Sequence, residues 1–93
     1  MIRHIVVFSV ETAHLAGLDQ LIDDLRALAD EIDEIDAIAC GRPLNATEYD
    51  AALTVDVADE AALTAYREHP AHQPVLERLR AIASTIVVAD ISA

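Results

Sequence analysis

Residues 2–10 are apolar on both sides of an extended chain, and this pattern constrains the fold more than any other feature of the sequence. Alternate side chains of a β-strand point to opposite faces, so even and odd positions line different surfaces. Val6 and Phe8 lie on one face, and Ile5 and Val7 lie on the other. Strands with this character are covered on both faces. We therefore expect a layer of protein on each side of this strand.

Six further elements follow along the 93 residues, which we interpret as one domain, 1–93. Apolar side chains recur at helical spacing in three segments, and they alternate or run continuously in three others. In chain order these elements are a helix over 18–32, a strand over 37–44, a strand over 48–57, a helix from the N-cap Asp59 through Tyr66, a helix after Pro70 with Pro74 in its first turn, and a strand over 86–91.

The resulting order, β-α-β-β-α-α-β, predicts an α+β, ferredoxin-like fold with a four-stranded antiparallel sheet. Its helices cover only one face of that sheet. Because the first and last strands carry isoleucine and valine on both faces, the second face also needs a cover. A second copy of the chain, packed sheet against sheet, supplies it, so we expect a homodimer.

Charge and composition exclude several classes of partner. Seventeen Asp and Glu stand against six Lys and Arg, a net charge of −11 that repels nucleic acid. No apolar run approaches the roughly 20 residues of a membrane span, and no secretion signal is recognisable. Cys40 is the single cysteine and has no partner for an internal disulfide. We therefore expect a cytoplasmic location, no nucleic acid and no membrane.

The sequence predicts neither a metal nor a cofactor. His69 and His72 are three residues apart, but Pro70 breaks the helix that would bring them together. The phosphate-binding glycine motifs, the nucleophile-elbow serine motif and the paired-cysteine redox motif are all missing.

Polar groups that can carry chemistry occur at two places. His4 lies within an apolar strand face, either as a hydrogen-bonded core histidine or as a group whose pKa is tuned by a pocket. The segment 66–72 places Tyr66, His69 and His72 around a proline break. An imidazole there can move a proton near neutral pH, and a phenol can stabilise a developing oxyanion. A structural interpretation, in which these groups pack and cap helix ends, is equally open.

The segments 2–8, 49–53, 66–72 and 87–90 together resemble the stress-responsive A/B barrel (Dabb) domain family. The pattern YxxHPxH over 66–72 is the most specific of the four. The resemblance spans nearly the whole chain and implies a dimeric α+β barrel. The family is known for stress-induced proteins without established catalysis and for a plant polyketide cyclase, which performs an intramolecular aldol condensation without a cofactor.

Residue by residue, the resemblance implies that His72 and Tyr66 match the catalytic pair of that cyclase, and that His4 matches its early-strand histidine. A further pocket histidine of the cyclase is replaced by Ala51 here, so its particular substrate does not transfer.

These observations converge on one hypothesis: a cavity that binds a small, partly apolar carbonyl or aromatic compound. His72 acts in it as general base, and Tyr66 stabilises the enolate. The residues expected to bind substrate are His4, Val6, Phe8, Ala51, Leu53, Val55 and His69. Two alternatives stay open at this point, a non-catalytic stress-responsive dimer and a cofactor-independent monooxygenase.

Overall fold

A computed structural model of residues 1–93 places the N-terminal strand inside an antiparallel sheet. Strand β1 (Ile2–Val10) pairs with β3 (Ala51–Val57) on one side and with β4 (Ala83–Ser92) on the other. The fourth strand, β2 (Ala37–Gly41), extends the sheet beyond β3. The order β2-β3-β1-β4 confirms the predicted ferredoxin-like fold.

Three α-helices complete the chain: α1 (Leu18–Glu31), α2 (Glu60–Glu68) and α3 (His72–Ile82). A 3-10 helix, Thr12–Gly17, precedes α1. Asp59 caps α2 as predicted, since its Oδ1 accepts a hydrogen bond from the Ala62 amide at 2.8 Å. None of these helices combines the length and the apolar character that crossing a bilayer requires.

The strand boundaries differ from the sequence predictions at three places. β3 begins at Ala51 and not at 48, because the loop before it is held by Asp50, whose Oδ2 accepts from the Val10 amide at 2.9 Å. β2 ends at Gly41, shortly before Pro43, which has no amide hydrogen to donate to a ladder. β4 begins at Ala83 and not at 86, because it pairs along the whole of β1.

The strand register decides which side chains share the helix-covered face. His4 lies opposite Val55 on β3 and opposite Asp90 on β4. Val6 lies opposite Leu53 in the same way. The hydrophobic core is built between this face and the helices, and it includes the α1 residues Leu18, Leu21, Ile22, Leu25 and Leu28.

The other face of the sheet carries apolar side chains without a cover. Ile5 and Val7 of β1 are half-buried there. Next to them on β4, Val87 is 45% exposed and Ile91 is 46% exposed. The helices therefore leave this side of the sheet uncovered, as expected. At β4 they also leave the helix-side residues partly exposed, since Ile86 is 37% exposed and Val88 is 52% exposed.

Candidate functional site

A cavity of about 390 Å³ lies between the helix-covered face of the sheet and helices α2 and α3. Seven of its thirteen lining residues are aliphatic, from α1, α3 and three of the strands. Six lining residues carry polar groups: His4, Tyr66, Arg67, His72, Gln73 and Arg80. An apolar cavity with a few convergent polar groups is the usual form of a small-molecule site.

Tyr66 packs against two imidazoles of this cavity. Its ring centroid is 5.7 Å from that of His4 and 4.6 Å from that of His72. Tyr66 is fully buried, and its hydroxyl has no hydrogen-bond partner. Burial raises the pKa of Tyr66 to about 12. The phenol therefore stays neutral at physiological pH and has a hydrogen bond left to donate.

His72 is prepared to accept a proton. Its Nδ1 lies 3.1 Å from the carbonyl oxygen of Arg67. Since a carbonyl oxygen can only accept, we assign the ring hydrogen to Nδ1, which leaves the lone pair on Nε2. Burial lowers the pKa of His72, and the positive charge of Arg80 lowers it further, against the opposing effect of the Arg67 carbonyl. The neutral imidazole is the form required of a general base.

His4 is held by a chain of charged groups. Its Nδ1 lies 2.6 Å from Oδ1 of Asp90, whose other oxygen accepts from the guanidinium of Arg67. The carboxylate of Asp90 thus orients the His4 ring, and Nε2 is the nitrogen left without a protein partner. The arrangement joins β1, β4 and the last turn of α2 at one end of the cavity.

The structure brings together only part of the predicted site. Among the expected residues, His4, Val6, Leu53, Tyr66 and His72 line the cavity. Phe8, Ala51 and Val55 share the same sheet face but are 0% exposed in the closed core beside it. His69 does not line the cavity, because its Nδ1 accepts a hydrogen bond from the Ala71 amide at 3.1 Å and caps the turn at Pro70.

Four polar residues of the site were not predicted as functional: Arg67, Gln73 and Arg80, which line the cavity, and Asp90, which holds His4. A signal existed for Asp90, which is the single charge in the apolar run 86–91. Its partner could not be read from the sequence, because the contact depends on the pairing of β1 with β4. No group of three or more His, Cys, Asp and Glu side chains is arranged to hold a metal ion.

Comparison with known proteins places this chain in a family. The sequence profile of the Stress Responsive A/B Barrel Domain matches residues 2–93. The chain belongs to this family. An uncharacterised protein of Streptomyces coelicolor is 36% identical over 102 aligned positions, which cover 97% of each chain. The predicted family is therefore confirmed.

Solved structures share the fold over almost the whole chain. A dimeric ferredoxin-like protein of unknown function from Thermobifida fusca is 29% identical, with a TM-score of 0.87 over 99% of this chain and 90% of that one. A hydroxynitrile lyase from Passiflora edulis is 20% identical, with a TM-score of 0.87 over 97% and 90%. An antibiotic biosynthesis monooxygenase is 13% identical, with a TM-score of 0.84 over 100% and 98%. The last two likenesses show the fold alone.

Replacing Tyr66 by Phe tests whether its hydroxyl supports the fold. A buried hydroxyl without a partner is desolvated and gains no hydrogen bond in return. We expect Tyr66→Phe to leave the free energy of unfolding unchanged or to raise it by up to about 1 kcal/mol, measured by urea denaturation. As a control, Leu79→Ala in the same cavity wall should cost about 2–5 kcal/mol. A clear loss of stability in Tyr66→Phe would contradict the unpaired state of the hydroxyl.

Lowering the pH should destabilise the protein through His72. Its folded-state pKa lies below the ordinary value of 6.5, so the unfolded chain takes up the proton first as the pH falls. The contribution of neutral His72 to the free energy of unfolding is fully present above pH 6.5. It is lost as the pH falls toward the lowered pKa of the folded state. Urea denaturation from about pH 8 to about pH 5 should therefore show a shallower pH dependence in His72→Gln. An NMR titration of His72 with a midpoint above that of the urea-unfolded chain would refute this assignment.

Proposed function

We propose that this protein binds small, partly apolar carbonyl compounds in the cavity and transfers protons at the carbon next to the carbonyl group. One observation carries the proposal: a fully buried phenol without a hydrogen-bond partner lies beside an imidazole whose Nε2 is left free by its bond to Arg67. A partnerless polar group in a core costs stability, so its retention is explained by a ligand that completes the bond.

The proposed step uses both groups at once. Nε2 of His72 removes a proton from the α-carbon, and the C–H electron pair forms a double bond to the carbonyl carbon. The π electrons of the carbonyl group move to its oxygen, which accepts a hydrogen bond from Tyr66. Because the pKa of Tyr66 is about 12, the phenol stabilises the enolate as a donor and keeps its own proton.

Two outcomes are open to the enolate. It is reprotonated by the His72 imidazolium, which exchanges the α-hydrogen, or its carbon attacks a second carbonyl group in the same molecule, which is an aldol closure. In the second case the alkoxide formed takes the proton from His72. His4, oriented by Asp90, contributes a second imidazole against the Tyr66 ring and positions the substrate.

Hydrogen exchange tests the proposed chemistry without knowledge of the natural substrate. Phenylacetone in deuterium oxide should exchange its α-hydrogens faster with the protein than with buffer, as followed by proton NMR. Tyr66→Phe and His72→Gln should each lower the protein-dependent rate about 100-fold. His69→Gln, outside the cavity, is the matched control and should keep the rate of the unaltered protein. Equal rates in all variants, or no exchange above buffer, would overturn the proposal.

The exchange experiment and an oxygen-uptake assay together test the two alternatives left open by the sequence. A non-catalytic stress-responsive dimer leaves exchange at the rate of the buffer. A cofactor-independent monooxygenase consumes oxygen, so an oxygen electrode with electron-rich phenols in place of the ketone detects it. The partnerless Tyr66 hydroxyl favours the enolising enzyme over the non-catalytic dimer, because a purely structural phenol gains nothing from being unpaired.

We also propose that two copies associate through the uncovered face of the sheet. Val7 and Val87 are neighbours there, as are Ile5 and Ala89. These side chains form a continuous apolar surface across β1 and β4, which a second copy would remove from water. Solved relatives with this fold are described as dimeric, which supports the proposal.

A charge on that surface should separate the copies. Val87→Asp would bury an unpaired carboxylate at the interface, which costs several kcal/mol. Light scattering coupled to gel filtration should find a dimer for the unaltered chain at micromolar concentration and a monomer for Val87→Asp. Ala27→Asp is the control, since Ala27 is exposed on α1, which packs on the opposite face of the sheet. A monomeric unaltered chain, or a dimeric Val87→Asp, would contradict the proposal.

A further inference from the structure

Arg80 is the one arginine of the chain without a carboxylate partner. The other five form ion pairs: Arg3 with Asp56, Arg26 with Asp23, Arg42 with Asp19, Arg67 with Asp90 and Arg78 with Asp24. The chain has 17 acidic residues against six basic ones, so carboxylates that could pair with an arginine are abundant. The unpaired cation lies in the wall of the cavity.

The cavity wall places Arg80 in line with the reacting groups. His72, Leu76, Leu79 and Arg80 all lie on α3 and all line the cavity, at the spacing of one helix face. At the rise of an α-helix the Cα atoms of His72 and Arg80 are about 12 Å apart. Arg80 lies close enough to His72 for its positive charge to lower the pKa of that imidazole, which agrees with its place in the same cavity wall.

Arg67, the other arginine of the cavity wall, has no free guanidinium to offer to a ligand. Arg67 is neutralised by Asp90, which in turn is shared with His4. Only Arg80 therefore offers a free guanidinium to a bound molecule. Its position in the last turn of α3 also favours a cation through the helix dipole, but that effect is independent of the cavity.

We propose that Arg80 binds a carboxylate of the ligand, so that the substrates are keto acids with an apolar body. This inference rests on the proposed function of the cavity for the position of the keto group. The planar guanidinium matches a carboxylate in a bidentate pair. A single free cation in a chain of net charge −11 favours a monoanion over a more highly charged phosphate ester.

The position of Arg80 also constrains the length of such a ligand. With the keto group at Tyr66 and His72 and the carboxylate at Arg80, several carbon atoms separate the two groups. Leu76 and Leu79 lie between them on α3, which suits an apolar spacer. The substrate class is therefore a keto acid in which several carbon atoms separate the carboxylate from the ketone. Keto acids in which the two groups are adjacent do not fit.

Binding of benzoylbutyrate and of its neutral amide, benzoylbutyramide, tests the proposal. Both have an aromatic ketone, and they differ only in the charge at the far end of a short methylene chain. By calorimetry the unaltered protein should bind the acid about tenfold more tightly than the amide. Arg80→Gln should remove this preference and leave the affinity for the amide unchanged. Arg78→Gln, a neighbouring arginine of α3 outside the cavity, is the control and should keep the preference.

Equal affinity of the unaltered protein for acid and amide, or a preference that survives in Arg80→Gln, would overturn carboxylate binding by Arg80. Failure to bind either compound would overturn it as well. The result is independent of catalysis. An acid preference lost in Arg80→Gln, in a protein that exchanges no α-hydrogens, supports carboxylate binding and refutes the enolising function. If the protein exchanges the α-hydrogens of phenylacetone but binds acid and amide equally, the enolising function is supported and carboxylate binding by Arg80 is refuted.

Discussion

The pairing of β1 with β3 and β4 is the interaction on which the rest of the molecule depends. It places a strand that is apolar on both faces between two neighbouring strands, so both faces of the sheet carry apolar side chains. One surface, with Val6 and Phe8, is closed by the helices and forms the core. The other stays uncovered within one chain. The need to remove that second face from water links the fold of the single chain to its proposed association.

The same strand pairing assembles the polar side of the cavity. It brings Asp90 against His4, and the break at Pro70 brings His72 against Tyr66. The two imidazoles differ in their partners: a carboxylate holds His4, and a backbone carbonyl holds His72. Burial disfavours the charged form of His72, so this imidazole is suited to begin a reaction as a base. Tyr66, in contact with both rings, is left with the one unsatisfied hydroxyl of the core.

Much of the fold could be predicted because it follows from local periodicity. The bounds of β1, the apolar stripe of α1 and the Asp59 cap depend on residues close together in the chain, and the structure agrees with them. The ends of β2, β3 and β4 were less well predicted, because strand length depends on the partner strand. For the site, residue type identified Tyr66, His72 and His4. The alternation of side chains along a strand placed Phe8 and Val55 correctly on the helix-covered face. It could not distinguish residues of the cavity wall from residues of the closed core.

By itself the sequence determined the order of the elements, the sheet with one helix-covered face, and the residue types available for chemistry. These follow from side-chain alternation and helical spacing, which act over a few residues. Only the tertiary structure decided that Asp90 meets His4 across 86 positions, that His69 caps a turn, and that Arg80 has no acidic partner. The physical reason is that such contacts depend on strand register and on the direction of a helix after a proline. Both are set by the packing of the whole chain and not by its neighbouring residues.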